Sequence, residues 1–288
     1  MSSSFNPSTS TSIRTVVDSH GIPRYLTSIV ASSLNWLDDD QKEDVWTQAS
    51  LRLSERSGRN AAPAMTRKFR VNDSLIISLH EPSLTEDNLG LKTWTSSLLL
   101  ARRLASFTDY VRPKCRLLEL GSGTGLVGIA AASVWRELLQ EITLTDLPEI
   151  VPNLQRNIEQ NSSSDGCPHI RSRALDWANE LDHPADETEY FDLIIAADPI
   201  YSSEHAQLLA DTVHRWLAYR PSATFVLELP LRDAYVKERD DLRRRLSAFL
   251  TIKEEGEETG YDDWLDSSGQ PAEVRCSWTV WQRGQPTT

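Results

Sequence analysis

The sequence predicts an α/β fold of the Rossmann type, a mostly parallel sheet covered by helices, with an antiparallel C-terminal edge pair and an N-terminal helical extension. Three observations carry the prediction. Beyond Pro113, short apolar runs alternate with segments of helical period at the pitch of βαβ units. The first of those runs ends in "LLELGSGTGLVG" (117–128), where an acid is followed by a glycine at every second position, the composition of a tight strand-to-helix turn. Near the C-terminus, "FLTIKEE" and "EVRCSWTVWQR" are strand-like with no long helix between them, so an antiparallel pair at one edge is their simplest arrangement.

Taken in order, residues 1–20 are rich in Ser and Thr, have little to bury, and read as a disordered tail. Residues 21–68 read as the helical extension: "RYLTSIVASSLNWL" and "DDQKEDVWTQASLRL" are amphipathic, and Asp38, Asp39 and Asp40 stand where an N-cap belongs. Residues 69–284 read as the main domain. "KFRVNDSLIISLHEP" has two apolar runs around an Asn-Asp pair, the pattern of a hairpin, and a helix is expected from about residue 95. Strands are then expected at 115–120, 142–145, 191–197 and 224–229, with helices over 125–139, 148–161, 203–218 and 232–249. The acidic "EEGEETGYDDW" (254–264), between the last two strand-like runs, reads as a solvated loop, or as a surface that steers a lysine-rich partner.

Composition narrows the function. A chain of 288 residues with 39% hydrophobic content can bury a sizeable core in one main domain. Its formal charge of −12 opposes a phosphate backbone, which argues against nucleic acid as a partner. The three cysteines, Cys115, Cys167 and Cys276, have no metal-site or disulfide spacing and suit a reducing compartment. No segment has the apolar length of a membrane span and the N-terminus lacks a signal-peptide core, so the cytoplasm is expected, with the nucleus open. His205 and His214 are too far apart on one expected helix for a two-histidine metal face, and no metal is expected.

The glycine run admits two registers. G-x-G-x-x-G fits through Gly123, Gly125 and Gly128 and would serve a dinucleotide, yet it draws the strand through Gly121 and leaves the acid unexplained. E-x-G-x-G-x-G through Glu119, Gly121, Gly123 and Gly125 accounts for both. A carboxylate at that strand tip repels a pyrophosphate and helps hold an ammonium, directly or through water. S-adenosylmethionine has an α-ammonium, a sulfonium and no phosphate, and its ribose hydroxyls need a carboxylate at the next strand tip. Asp146 in "ITLTD" stands about 20 residues on, where that carboxylate belongs.

The ordered set "LELGSGTGLVGIAAA", "ITLTDLPEIVPNLQRNIEQN", "LDW" and "AADPIY" resembles the family-16 seven-β-strand methyltransferases over roughly residues 69–283. These are protein lysine methyltransferases that act on translation elongation factors, ribosomal proteins and chaperones. "LTEDNLGLKTWTSS" is most similar to fungal members. The resemblance implies a seven-stranded sheet, S-adenosylmethionine as methyl donor, and a lysine-bearing protein as acceptor, with a translation elongation factor as one candidate. It implies Glu119, Gly121, Gly123 and Gly125 along the methionine part, Asp146 on the ribose and Leu147 on the adenine. Asp176 would meet the adenine amino group with Trp177 beside the ring, Trp94 would close the pocket from the other side, and Ala197 would border the cofactor. Asp198 and Tyr201, in the acidic-x-x-aromatic signature, would be catalytic: Asp198 orients the incoming amine and Tyr201 walls the channel. The alternative for Asp198 is a helix cap. For the whole protein, a small-molecule N- or O-methyltransferase and a non-catalytic binding module stay open, because acceptor choice resides in loops.

Overall fold

The computed structural model describes residues 22–60, 64–82, 89–162, 168–265 and 271–284; the N-terminal tail read at 1–20 lies outside them. The elements run α1 (Ile22–Val30), α2 (Asp39–Asn60), β1 (Met65–Arg70), β2 (Ile76–Glu81), α3 (Thr95–Arg103), β3 (Cys115–Leu120), α4 (Leu126–Val134), β4 (Leu139–Asp146) and α5 (Val151–Asn161). They continue through β5 (His169–Ala174), β6 (Leu193–Ala197), α6 (His205–Trp216), β7 (Thr224–Pro230), α7 (Val236–Leu246), β8 (Leu250–Leu265) and β9 (Pro271–Arg283).

Asp38 starts α2 through a reciprocal capping box: the Gln41 N–H donates to Asp38 Oδ1 at 2.9 Å, and the Asp38 N–H donates to Gln41 Oε1 at 3.3 Å. Strands β1 and β2 form the expected hairpin, with Asn72 Oδ1 accepting the Ser74 and Leu75 N–H groups in its turn. The boundary read at residue 68 falls inside β1, so the hairpin belongs wholly to neither side of it.

The seven-stranded sheet has the order β5-β4-β3-β6-β7-β9-β8. Strands β3 to β7 are parallel, and β9 is antiparallel to both β7 and β8, so the reversed strand is β9 alone and β8 regains the common direction. The chain moves outward from β3 through β4 to β5, then restarts on its other side with β6. This makes β3/β6 the switch point, whose C-terminal mouth is the usual ligand crevice of open α/β sheets. Apolar residues of α3, α4, α5 and the hairpin pack one sheet face, and those of α6 and α7 the other.

Two sequence expectations fail. Strand β5 was not expected, because "HIRSRA" has no apolar run: as an edge strand it needs neither face fully buried. The acidic stretch read as a loop is instead part of β8, paired with β9 across most of its 16 residues. Its carboxylates are matched to cations and a phenol: Glu255 to Arg243 (2.8 Å), Glu257 to Arg275 (2.5 Å), Glu258 to Arg103 (2.7 Å), and Glu254 to the Tyr110 hydroxyl (2.6 Å). Pairing of that kind compensates the charge that made the stretch look solvated.

Candidate functional site

The turn after β3 requires its glycines. Gly121, Gly123 and Gly125 have φ of +67°, +54° and +88°, a region costly to residues with a Cβ. Gly123 is also crossed by the chain before α3: a Cβ there would stand 2.9 Å from the Gly90 carbonyl oxygen. The Thr93 and Thr124 hydroxyls, 2.7 Å apart, tie that crossing segment to the turn. From below, the buried Asn157 amide donates to the Thr124 carbonyl (3.0 Å).

Glu119 lies beneath the turn, 2% exposed, with Oε2 accepting the Gly128 N–H of α4 at 3.0 Å. Burial pushes its carboxyl up to about 8. The side chain is shielded by the turn it supports, so any influence on a ligand ammonium operates through the field beneath the turn rather than by contact at its surface. Gly128, which entered the sequence reading only through the rejected dinucleotide register, has a packing role. A Cβ there would be 2.0 Å from Leu144 Cδ2 and 2.5 Å from Glu119 Oε2.

Asp146 ends β4 beside the turn. Its Oδ2 accepts the Gly123 N–H (2.7 Å) and its Oδ1 the Leu147 N–H (2.8 Å), which aims the carboxylate and leaves each oxygen a further acceptor site. Burial raises this carboxyl too. Leu147 is 37% exposed next to it, apolar surface of the kind that an aromatic base covers. After β5, Asp176 closes an Asx turn on the Ala178 N–H (2.9 Å), and the Trp177 ring lies over Gly121, at 3.5 Å from where a Cβ would be. These residues fit a phosphate-free adenosine ligand: the Asp146 carboxylate at a strand tip faces a glycine cradle with apolar and aromatic surface alongside.

Asp198 lies just beyond β6 with φ +52°, a strained conformation for an aspartate that has a specific cause. Its N–H donates to the Glu228 carbonyl (2.9 Å), and its two oxygens accept the Arg232 guanidinium at 2.9 and 2.7 Å. Burial raises the Asp198 carboxyl, and Arg232 offsets part of that. The helix-cap alternative does not hold, because α6 begins at His205 with Glu204 in the cap position. Arg232 also lies over the Trp94 ring, 5.5 Å from its centroid, and Lys92 Nζ is 5.0 Å from the same centroid. Trp94 therefore belongs with Asp198, while Trp177 stands over the glycine turn.

Tyr201 is 49% exposed. Its ring meets His205 edge-on at 4.2 Å, its N–H reaches His205 Nδ1 at 3.4 Å, and His205 meets Trp177 edge-on at 5.9 Å. An aromatic row thus joins the glycine turn to the tip of β6. Ala197, 9% exposed, is the last β6 residue behind it.

Sequence reasoning missed Arg232, His205 and Glu228. Arg232 in "LPLRDAY" had no local signal. His205 had one, its place four residues after Tyr201 at a helix start. Glu228 is fully buried on β7, with neither carboxyl oxygen hydrogen-bonded among the described residues, and burial pushes it up to about 8. An acid inside the apolar "FVLELP" was the available sign. Among the described residues no group of side chains could hold a metal ion, and no helix is long and apolar enough to cross a membrane.

Residues 71–238 match the model of a lysine methyltransferase family. Protein-lysine N-methyltransferase EFM2 of Saccharomyces cerevisiae is 40% identical over 263 residues, which cover 83% of this chain and 61% of that protein. Protein-lysine N-methyltransferase rrg1 of Schizosaccharomyces pombe is 33% identical over 267 residues, covering 91% of this chain and 85% of that one. The calmodulin-lysine N-methyltransferase of Arabidopsis thaliana is 32% identical over 163 residues, 54% of this chain and 52% of that one. The chain thus spans 61% of the length of the first of these relatives and 85% of the second.

Proposed function

This chain belongs to the lysine methyltransferase family, and on that premise we propose that it transfers a methyl group from S-adenosylmethionine to a lysine ε-amino group of another protein. The observation that carries the proposal is the meeting, at one switch point, of the Gly121–Gly125 turn braced by Asp146 and the Asp198–Tyr201 tip of the adjoining strand. The two halves suit a donor and an acceptor brought end to end.

In this reading Asp146 receives the ribose hydroxyls on the acceptor sites its backbone bonds leave open. Leu147, Asp176 and Trp177 border the adenine, and the glycines border the methionine part with Glu119 buried beneath them. When bound, S-adenosylmethionine supplies an electrophilic methyl group on a sulfonium. The protein's task is then alignment, because an in-line displacement needs a neutral nitrogen held in register and little else. Asp198, fixed by Arg232, accepts an N–H of the amine and points its lone pair; Tyr201 walls the approach; the amine proton leaves to water. The half-exposed Tyr201 favours a protein acceptor, since a lysine must enter from solvent while its backbone stays outside. A translation elongation factor is the acceptor that the sequence resemblance suggests.

The test has two parts. Calorimetry should show binding of S-adenosylmethionine and S-adenosylhomocysteine and none of nicotinamide dinucleotides, because the Asp146 carboxylate beside the glycine turn opposes a pyrophosphate. Radiolabelled methyl groups from the donor should enter lysines of a yeast protein extract. Transfer confined to an accompanying panel of small amines and alcohols would replace the protein-lysine reading with the small-molecule one.

A further inference from the structure

The two N-terminal helices lack an assigned role, and their contacts lead to the acceptor side of the site. Trp46 of α2 is held by its indole N–H, which donates to the Ser32 carbonyl at 3.1 Å. Its ring lies against Tyr235, with centroids 6.5 Å apart. Two turns earlier on α2, Asp39 accepts Lys237 Nζ at 2.8 Å, so the helix grips the start of α7 at two points. Tyr235 in turn donates its hydroxyl to the main-chain carbonyl of Tyr201 at 3.2 Å. That bond reaches the Tyr201 backbone from the α7 side, while His205 holds the Tyr201 ring and N–H from the α6 side.

We propose that Tyr235 and Trp46 are positioning residues for methyl transfer: α2 of the N-terminal extension fixes Tyr235, and Tyr235 fixes the Tyr201 main chain, setting the width of the acceptor channel. The proposal rests on the reading of Tyr201 as channel wall. Its physical basis is that the segment between β6 and α6 is irregular and half-exposed. A loop of that kind is held only by contacts others supply, and such loops open at low free-energy cost. A displacement of the wall by a fraction of an ångström alters alignment and the room left for an already methylated amine, hence both rate and product. Asp39 and Lys237 are largely exposed and serve as register, contributing little energy of their own.

The experiment uses the full chain as Tyr235→Phe, Trp46→Ala and Trp46→Phe. Tyr235→Phe keeps the ring on Trp46 and removes only the hydroxyl. Amide hydrogen exchange, read with no acceptor present, should be faster over residues 199–205 in Tyr235→Phe and Trp46→Ala than in the parent, with Trp46→Phe, which keeps a ring but loses the bond to Ser32, between Trp46→Ala and the parent. With labelled donor and yeast extract, the first two variants should transfer methyl about five-fold more slowly, the factor that one lost hydrogen bond implies. The ratio of mono-, di- and trimethyllysine after acid hydrolysis should shift, and calorimetric donor affinity should stay within about two-fold of the parent, because nothing on the adenosine side changes. Parent-like exchange over 199–205 in Tyr235→Phe overturns the positioning role even if Trp46→Ala proves poorly folded. Faster exchange with unchanged rate and product ratio overturns its bearing on transfer. If the parent labels no lysine at all, it is the methyltransferase reading that fails, and the exchange data still decide whether the extension holds the loop.

Discussion

Asp198 illustrates how one residue can be constrained from several directions. Its backbone is left-handed, its N–H is committed to β7, and both oxygens chelate a guanidinium 34 positions away. Substitution by alanine would remove the anion from Arg232 and place a Cβ-only residue at positive φ, which confuses stability with chemistry. Asparagine tolerates that backbone and keeps one oxygen for Arg232, so it confines the change to the lost charge and one lost hydrogen bond. Asp198→Asn should therefore stay folded with a lower melting point, because Arg232 loses its counter-charge, bind the donor within about three-fold of the parent, and lose about 10–100-fold in transfer per folded molecule, as expected for one charge-assisted hydrogen bond made in the transition state. Transfer rates equal to the parent's would show that Asp198 only braces the loop.

At the scale of elements, the site depends on how closely α4 and α5 approach the sheet and hairpin. Gly128 lets α4 lie on Leu144, and its N–H satisfies the buried Glu119. Gly128→Ala should cost about 1–3 kcal/mol through overpacking against groups that have no room to retreat, read as a lower thermal midpoint. An unchanged midpoint would mean that the contact is softer than its geometry. Helix α5 contributes differently. Asn153, Asn157 and Asn161 recur at four-residue spacing and present one polar stripe to β2. Asn157 and Asn161 accept the His80 and Ser78 N–H groups (2.7 and 3.0 Å), and all three amides donate to the carbonyls of those two residues. The stripe thus pairs with the free edge of the hairpin as a neighbouring strand would. Asn157 extends the same network to the glycine turn through Thr124.

For the molecule as a whole, two buried carboxyls set a dependence of stability on pH. Glu119 and Glu228 are both held at about 8 against 4.5 for a free glutamate. The folded state therefore keeps protons that the unfolded state has released; the stability this confers is complete below about pH 4.5 and is lost as pH rises through 8, at up to about 1.4 kcal/mol per pH unit for each carboxyl. Glu228→Gln removes one of the two and leaves the histidines and remaining acids unchanged. The variant should match the parent near pH 5 and melt progressively higher than it toward pH 8. A difference in melting point that is constant across this range would mean that Glu228 is ionised in the folded protein, paired with Arg103 across the α3 interface.

Much of the architecture is encoded in local chemistry along the chain. Alternating apolar periods specify the βαβ order, positive-φ turns call for Gly121, Gly123 and Gly125, and an acid at the end of "ITLTD" is carried to the mouth of the site by the strand that precedes it. Each of these needs only residues within one or two turns of one another. Tertiary structure alone decided the rest. Strand β5 is polar and exists through pairing with β4; the acidic stretch is a strand because β9 lies beside it and cations answer its charges. The ion pair of Asp198 with Arg232 and the grip of Trp46 on Tyr235 join segments from separate βα units and from the extension. Arginine and tryptophan occur at those positions with no local preference to mark them. Their partners are chosen by the sheet order, which brings the tips of β6 and β7 together and seats the extension against them.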